Sequence, residues 1–290
     1  MFYSAIIFST IANLILNEYN TSIDINKLNS QDKIVILCLN NNFIYLLNEF
    51  LDLVCKPFII ITAMEDNQFP RDFNIDFINK VISNKYFKHW FPINKTIENN
   101  KCFTGIPYGL DYWTLTRKNY FGELIQTIEE QNNCFEKLNS NLIHFSKRIL
   151  KIYDNSHLHQ TDKRYNNWRS QLQNIIDPNI IDFQPNILPR TQALENMSKY
   201  AFIISPYGNG LDCIRTFEAL CMGCIVILQN KYFEEIYKDL PVIYINEWYE
   251  VNNDLLKNTL NEFSNKKFNY DKLKMDYWIK IVNSVFHNIN

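Results

Sequence analysis

The chain has 290 residues, 47% of them apolar and 21% charged, with a net charge of −2 at pH 7. This balance excludes a disordered chain and fits one large globular domain or two of ordinary size. Without a basic excess, general nucleic-acid binding is disfavoured, although a local positive pocket could still take a nucleotide-sized ligand.

Met1 to Leu16 is apolar, but no Lys or Arg precedes Lys27, and Ser4, Ser9, Thr10 and Asn13 interrupt it. It lacks the basic start of a secretory signal and the length of a membrane span, so it reads as a core helix or strand. Residues 33–39 read as a compact apolar strand. Phe43, Leu46, Leu47, Phe50, Leu51 and Val54 then recur at helical spacing. A strand is expected at 58–62, followed by a loop with Glu65, Asp66, Asn67 and Pro70. A helix at 75–82 and strands at 86–91 and 101–106 come next. The strands are followed by Pro92 and Asn94, and by Tyr108, Gly109 and Asp111. A long helix is expected over 121–138.

A second alternation starts with a strand at 148–153 and a polar loop holding Asn155, His157 and His159. Helices are expected at 165–176 and 194–200, then a strand at 201–204. A glycine loop, a helix at 213–222 and a strand at 225–228 follow. The chain closes with a helix at 232–238, a strand at 242–245 and a helix at 270–286. Alternating β and α elements imply parallel sheets with right-handed crossovers. The expected organisation is two Rossmann-like halves, 1–143 and 144–290. Their boundary falls near 140–147, with the C-terminal helix crossing back to the first half. No repeat at solenoid periods and no low-complexity tract is present.

Seven cysteines, an odd number set mostly in apolar runs, fit a cytoplasmic protein with reduced thiols better than a disulfide framework. Cys221 and Cys224 have C-x-x-C spacing but no second pair, so they read as small core residues rather than a metal or redox site.

The most informative segment is 201–228. The chain has six glycines, and Gly208, Gly210 and Gly223 fall within it. Apolar runs flank a loop that opens onto a helix with Phe217, Leu220 and Cys221 on one face. A helix N-terminus suits an anion, and glycines permit positive φ and close approach of a ligand. Arg215 sits in the first turn and Glu218 one turn on. They read equally as a phosphate and ribose pair or as a surface ion pair three residues apart. The spacing is not the dinucleotide fingerprint.

The run from Ser205 to Val226 resembles the hallmark of exostosin-like glycosyltransferases, in a branch found in large DNA viruses and algae. That pattern is approximately S-P-x-G-N-G-x-D-C-H-R-T-W-E-A-L-x-x-G-C-I-P-I-V. Upstream, Pro57 to Thr62 with Asp66 and Pro70 is similar to the family's first conserved strand and loop. His89-Trp90-Phe91 with Asn94 and Pro107 to Tyr112 also match its motifs in order. Leu240-Pro241-Val242 and Trp248 complete the likeness, which spans about residues 33 to 250. This chain departs by having Ile214 where the family has His, Phe217 for its Trp and Val226 for its Pro.

The resemblance implies the GT-B architecture, two Rossmann-like domains facing across a cleft. It also implies transfer of a sugar from a UDP- or GDP-linked donor to a glycan or glycoprotein acceptor. No cofactor is expected beyond the donor substrate, and no metal, since no D-x-D element stands out; a His157/His159 site is disfavoured. Ligands of open α/β sheets lie beyond strand carboxyl ends. That rule selects Asn155, His157, Arg164, Ser205, Tyr207, Gly208, Asn209, Gly210, Asp212, Arg215 and Glu218 for the donor. Arg215 would stabilise the departing diphosphate and Glu218 would take the ribose. Lys151 and Arg169 are further cations, and Arg169 reads more readily as a solvated helix charge.

On the acceptor side the rule selects Glu65, Asp66, His89, Asn94, Asp111 and Tyr112. Inverting transfer needs a base, with Asp66, His89 and Asp111 as candidates. For His89 a structural role competes, and for Asp111 a turn carboxylate does. Neither nucleic acid nor a stable membrane span is expected as a partner. The location expected is the cytoplasm, including that of a virus-infected host cell. Two other readings compete: a catalytically silent nucleotide- or sugar-binding module, favoured by Ile214, and an unrelated doubly wound phosphate-ester enzyme.

Overall fold

Among the described residues of this computed structural model (1–40, 44–97, 100–120, 122–156, 168–229 and 231–287), nine strands form two wholly parallel sheets. The fold class is therefore α/β with two Rossmann-like units, as expected. The first sheet holds β1 (Leu14–Leu16), β2 (Ile34–Cys38), β3 (Phe58–Thr62) and β4 (Phe87–Pro92), in the order β1-β2-β3-β4. β2 and β3 are buried along their whole length. Strands of a parallel sheet covered on both faces have this continuous apolar character. Ile36, Ile60 and Trp90 lie in register and share a core with Phe69, Phe77, Val81 and Phe103. The helix Ile75–Ser83 starts at Asn74, whose side chain accepts from the backbone N–H of Asp76 and Phe77.

The second sheet holds β5 (Ile149–Asp154), β6 (Ile181–Phe183), β7 (Tyr200–Ile204), β8 (Ile225–Gln229) and β9 (Val242–Ile245). Its order is β6-β5-β7-β8-β9. The chain steps from β5 to β6 in one direction, then reverses past β5 to lay down β7, β8 and β9. Connections diverge where the order reverses, and a crevice opens beyond the carboxyl ends of those strands, here β5 and β7. The first sheet never reverses, so it has no such switch point.

The chain divides into two compact units. One comprises Tyr3–Tyr108 with Met275–Asn290 and carries the first sheet. The other comprises Met1–Phe2 with Gly109–Lys274 and carries the second sheet. The expected boundary at 140–147 thus falls inside the second unit. The reason is packing: the helix Ile128–Ser140 lies against the helix Arg190–Met197, and Asn139 Nδ2 donates to the Cys221 carbonyl at 2.6 Å. The C-terminal helix Met275–His287 packs on β4, with Trp278 against Tyr3 at 5.7 Å between ring centroids.

Several elements differ from expectation. Residues 101–106 make one isolated bridge, Trp90 to Phe103, rather than a strand. The helix expected from 121 begins at Ile128, because a reciprocal capping box between Thr127 and Glu130 fixes its start. The 43–54 pattern yields a 3₁₀ helix, Tyr45–Glu49, and the 232–238 pattern only Glu234–Tyr237. Residues 270–286 split into a 3₁₀ helix, Tyr270–Leu273, and the final helix. No helix among the described residues is long and apolar enough to cross a membrane.

Candidate functional site

The site forms where the switch point meets the glycine loop. β7 ends in a fully buried apolar run, and Ser205 N–H still pairs with the Ile227 carbonyl at 3.1 Å. The loop then runs to Cys213, and the helix Ile214–Cys221 begins. Its apolar face buries Phe217, Ala219, Leu220 and Cys221. Gly223, at φ 68, ends it, with Cys224 N–H donating to the Ala219 carbonyl at 3.0 Å. This geometry fixes Arg215 in the first turn, directed back toward β5.

Arg215 is partly buried, and Nε donates to Asn155 Oδ1 at 3.1 Å. Nη2 reaches the Asn155 carbonyl at 3.4 Å. Nη1 is buried and has no hydrogen-bond partner among the described residues. Burial, reinforced by the nearby Arg169 guanidinium, lowers the Arg215 pKa from its ordinary value, while Asp154 and Glu218 oppose the shift. Beside it, at the end of β5, Asp154 Oδ2 and Ser156 Oγ are also buried without a partner among the described residues. Buried polar atoms are nearly always hydrogen-bonded. Three orphans at the mouth of one switch point mark a place built for something polar.

Arg169 is not the solvated charge that its sequence setting suggests. Its Nε donates to the Tyr207 carbonyl at 2.9 Å, and it bears on Cys213 and Arg215. At Gly208 it is space that is tight, and the backbone is not left-handed. A Cβ at Gly208 would lie 3.0 Å from Arg169 Nη2 and 3.1 Å from Cys213 Sγ. Neither Gly208 nor Gly210 uses the positive φ open to glycine; the glycines that do are Gly109, Gly122 and Gly223.

Glu218 faces a second arginine that sequence reasoning passed over. Arg190 Nε donates to Glu218 Oε1 at 3.1 Å, with the two side chains 12% and 17% exposed. Burial holds the Glu218 carboxyl above its ordinary pKa, and the Arg190 guanidinium opposes that shift. Arg190 lies at the start of the helix Arg190–Met197, after Pro189. The helix was expected only from 194, which left Arg190 in a loop. Pro preceding a helix start was the available signal.

Other expected donor residues are committed within the protein. Ser205 Oγ bonds Thr216 Oγ1 at 2.9 Å. Tyr207 OH donates to the Gln229 carbonyl at 3.1 Å. Asp212 is buried, and both of its oxygens accept from Tyr237 OH at 2.8 Å. Asn209 is exposed, and the Gly210 carbonyl accepts from Gly208 N–H at 3.0 Å. Lys151 pairs with Asp182 at 2.9 Å. His157 and Arg164 lie outside the described residues.

The acceptor-side candidates are divided between the two units. Asp66 lies beyond the carboxyl end of β3, partly buried, beside buried Glu65 and two residues after Met64, which is at φ 59. His89 is in mid-strand, three residues before the end of β4 and opposite Ile59. It bonds Thr104 at 2.8 Å and leans on Phe91, so the strand-end position assigned to it is corrected. Asn94 is fully buried at φ 50 and donates to the Glu65 carbonyl at 3.1 Å. Asp111 belongs to the second unit, and its Oδ1 accepts from Thr114 N–H at 2.9 Å, the turn role weighed for it. Tyr112 is buried, its hydroxyl on Asn132 at 3.2 Å. Among the described residues, no group of three or more His, Cys, Asp or Glu is placed to hold a metal ion.

No family model matches the chain, and no curated protein sequence matches it. Among solved structures, the chain is similar to one described as "OtsA apo structure". The match covers 92% of this chain and 76% of that one, at 10% identity and a TM-score of 0.48. It is also similar to "Trehalose-6-phosphate from E. coli bound with UDP-2-fluoro glucose", over 91% of this chain and 72% of that one, at 9% identity and a TM-score of 0.39.

Proposed function

We propose that this chain is a nucleotide-sugar-dependent glycosyltransferase of the GT-B type, with its donor site at the switch point of the second sheet. One observation carries the reading. Arg215 is a desolvated cation at the place where α/β sheets bind ligands, and its Nη1 has no partner among the described residues. A diphosphate supplies the missing acceptor and the missing charge, and Arg–phosphate contacts are among the strong hydrogen bonds. As the glycosidic bond to the donor breaks, negative charge grows on the diphosphate, and a fixed guanidinium stabilises that charge more than the ground state.

In this reading Glu218 accepts from ribose hydroxyls, and Arg169 adds positive field while holding the Tyr207 carbonyl. Transfer is inverting and metal-independent, from a UDP- or GDP-linked sugar to a glycan or glycoprotein. The general base that takes the acceptor hydroxyl proton is Asp66 or Asp111. Ile214 in place of the family's His favours a second reading, a nucleotide- or sugar-binding module without turnover. Incubating the chain with UDP- and GDP-sugars and a glycan acceptor panel separates them. Release of nucleoside diphosphate that depends on acceptor supports the transferase. Saturable binding with no release supports the silent module, and no binding removes both.

A further inference from the structure

Glu218 is divided between two environments. Its Oε1 is tied to Arg190 Nε at 3.1 Å, while Oε2 accepts no hydrogen bond among the described residues. Arg190 is itself fixed from several sides. Nη1 donates to the Asp111 carbonyl at 2.9 Å and to Gln131 Oε1 at 3.1 Å, and the guanidinium carbon lies 5.1 Å above the Phe135 ring. Gln131 is 2% exposed and donates in turn to the Tyr112 and Gln126 carbonyls at 3.0 and 3.3 Å. The guanidinium is therefore held through Nε and Nη1 by groups from neighbouring segments, while Nη2 is buried and has no hydrogen-bond partner among the described residues. A lysine has neither the planar fork nor the number of donors needed for this.

We infer that Arg190 is a positioning residue, which orients Glu218 so that Oε2 accepts a hydroxyl of the nucleotide's ribose. The inference rests on the donor-site reading above. Its own content is that Arg190 acts through Glu218 and does not touch the ligand. The groups bearing on Glu218 are Arg190, Arg215 and Cys221 of its own helix, and Asp111. Burial alone raises the carboxyl, and Arg190 is the first group opposing it. Without Arg190, Glu218 takes its proton at higher pH, so ribose binding is lost from the acid side.

The test is calorimetric titration of UDP and of GDP into the full chain between pH 5.5 and 8. Wild type, Arg190→Gln, Arg190→Lys, Glu218→Gln and the two doubles on Glu218→Gln are compared, with folding checked by circular dichroism. The wild-type profile subtracts the nucleotide's own titration. Arg190→Gln is expected to lose roughly tenfold more affinity at pH 5.5 than at pH 8; Arg190→Lys, which keeps the charge but not the fork, should keep the shape of the wild-type pH profile while losing affinity at every pH. On Glu218→Gln, neither Arg190 variant should weaken binding further, because the pathway through Glu218 is already cut. If Arg190→Gln does not fold, the cycle with Arg190→Lys decides the question by the same criterion. Losses that add on Glu218→Gln, or an Arg190→Gln profile parallel to wild type, overturn the positioning role alone. A wild type that binds neither nucleotide overturns the donor-site reading and this inference with it.

Discussion

Replacing Arg215 with Met separates activity from stability in a way that few site substitutions do. In the folded chain Arg215 makes one good hydrogen bond, at 3.1 Å to Asn155 Oδ1, and one at the limit of a bond, 3.4 Å to the Asn155 carbonyl. Nη1 makes none, and no ion pair reaches the guanidinium among the described residues. The good bond, from a charged donor, contributes about 1.5–3 kcal/mol, and the long one adds little. Against this, an uncompensated charge held away from water is costly, and Met keeps most of the aliphatic volume. The two effects offset to within about 1 kcal/mol, so Tm should move by no more than about 4 °C. Turnover should behave differently. Loss of a fixed donor to a charge that develops at the diphosphate removes about 2–4 kcal/mol of transition-state stabilisation, or roughly 30- to 900-fold in kcat. Thermal unfolding and release of nucleoside diphosphate from the donor measure the two quantities on the same sample. Wild-type turnover refutes the phosphate role. A fall in Tm of more than about 8 °C would show instead that Arg215 is a structural strut.

Gly208→Ala should lower nucleotide affinity by about five- to tenfold and stability by about 1 kcal/mol, since the new methyl displaces Arg169 or Cys213; undisturbed affinity by calorimetry would mean that the placement of Arg169 does not matter. Tyr237→Phe strips a hydroxyl from between the two oxygens of buried Asp212 and should cost about 2 kcal/mol in urea unfolding. A loss under about 0.5 kcal/mol would contradict the account of how this loop is held. Asp66→Asn should reduce turnover about 100-fold or more and leave nucleotide binding intact. If turnover is unchanged while Asp111→Asn abolishes it, the base lies in the second unit.

The sheets were legible because their inner strands are unbroken apolar runs. Ile34–Cys38, Phe58–Thr62, Tyr200–Ile204 and Ile225–Gln229 need no partner to be recognised. β6 was not, because three residues with Asp182 at the centre give no periodicity, and the strand exists through its pairing with β5. The unit boundary was hidden for a related reason: the helix Ile128–Ser140 follows the first sheet in sequence but packs with Arg190–Met197, far along the chain. Arg215 and Glu218 could be picked from the glycine loop alone. Arg190 could not, since its meaning comes from Glu218, Asp111 and Gln131, which only the fold brings to it. His89 shows the opposite error. Its motif suggested a strand end, whereas the register of β4 against β3 sets it in mid-strand.

Nucleoside diphosphate binding at the switch point of the second sheet is the claim on which the rest depends. Titrating UDP and GDP into the full chain, beside the Arg215→Met variant, tests it most directly. One nucleotide should bind wild type saturably and, at 100 times its Kd, raise apparent stability by roughly 2.7 kcal/mol. Arg215→Met should remain folded and lose that response. Equal binding by the variant, or no binding of either nucleotide by wild type, would contradict the account.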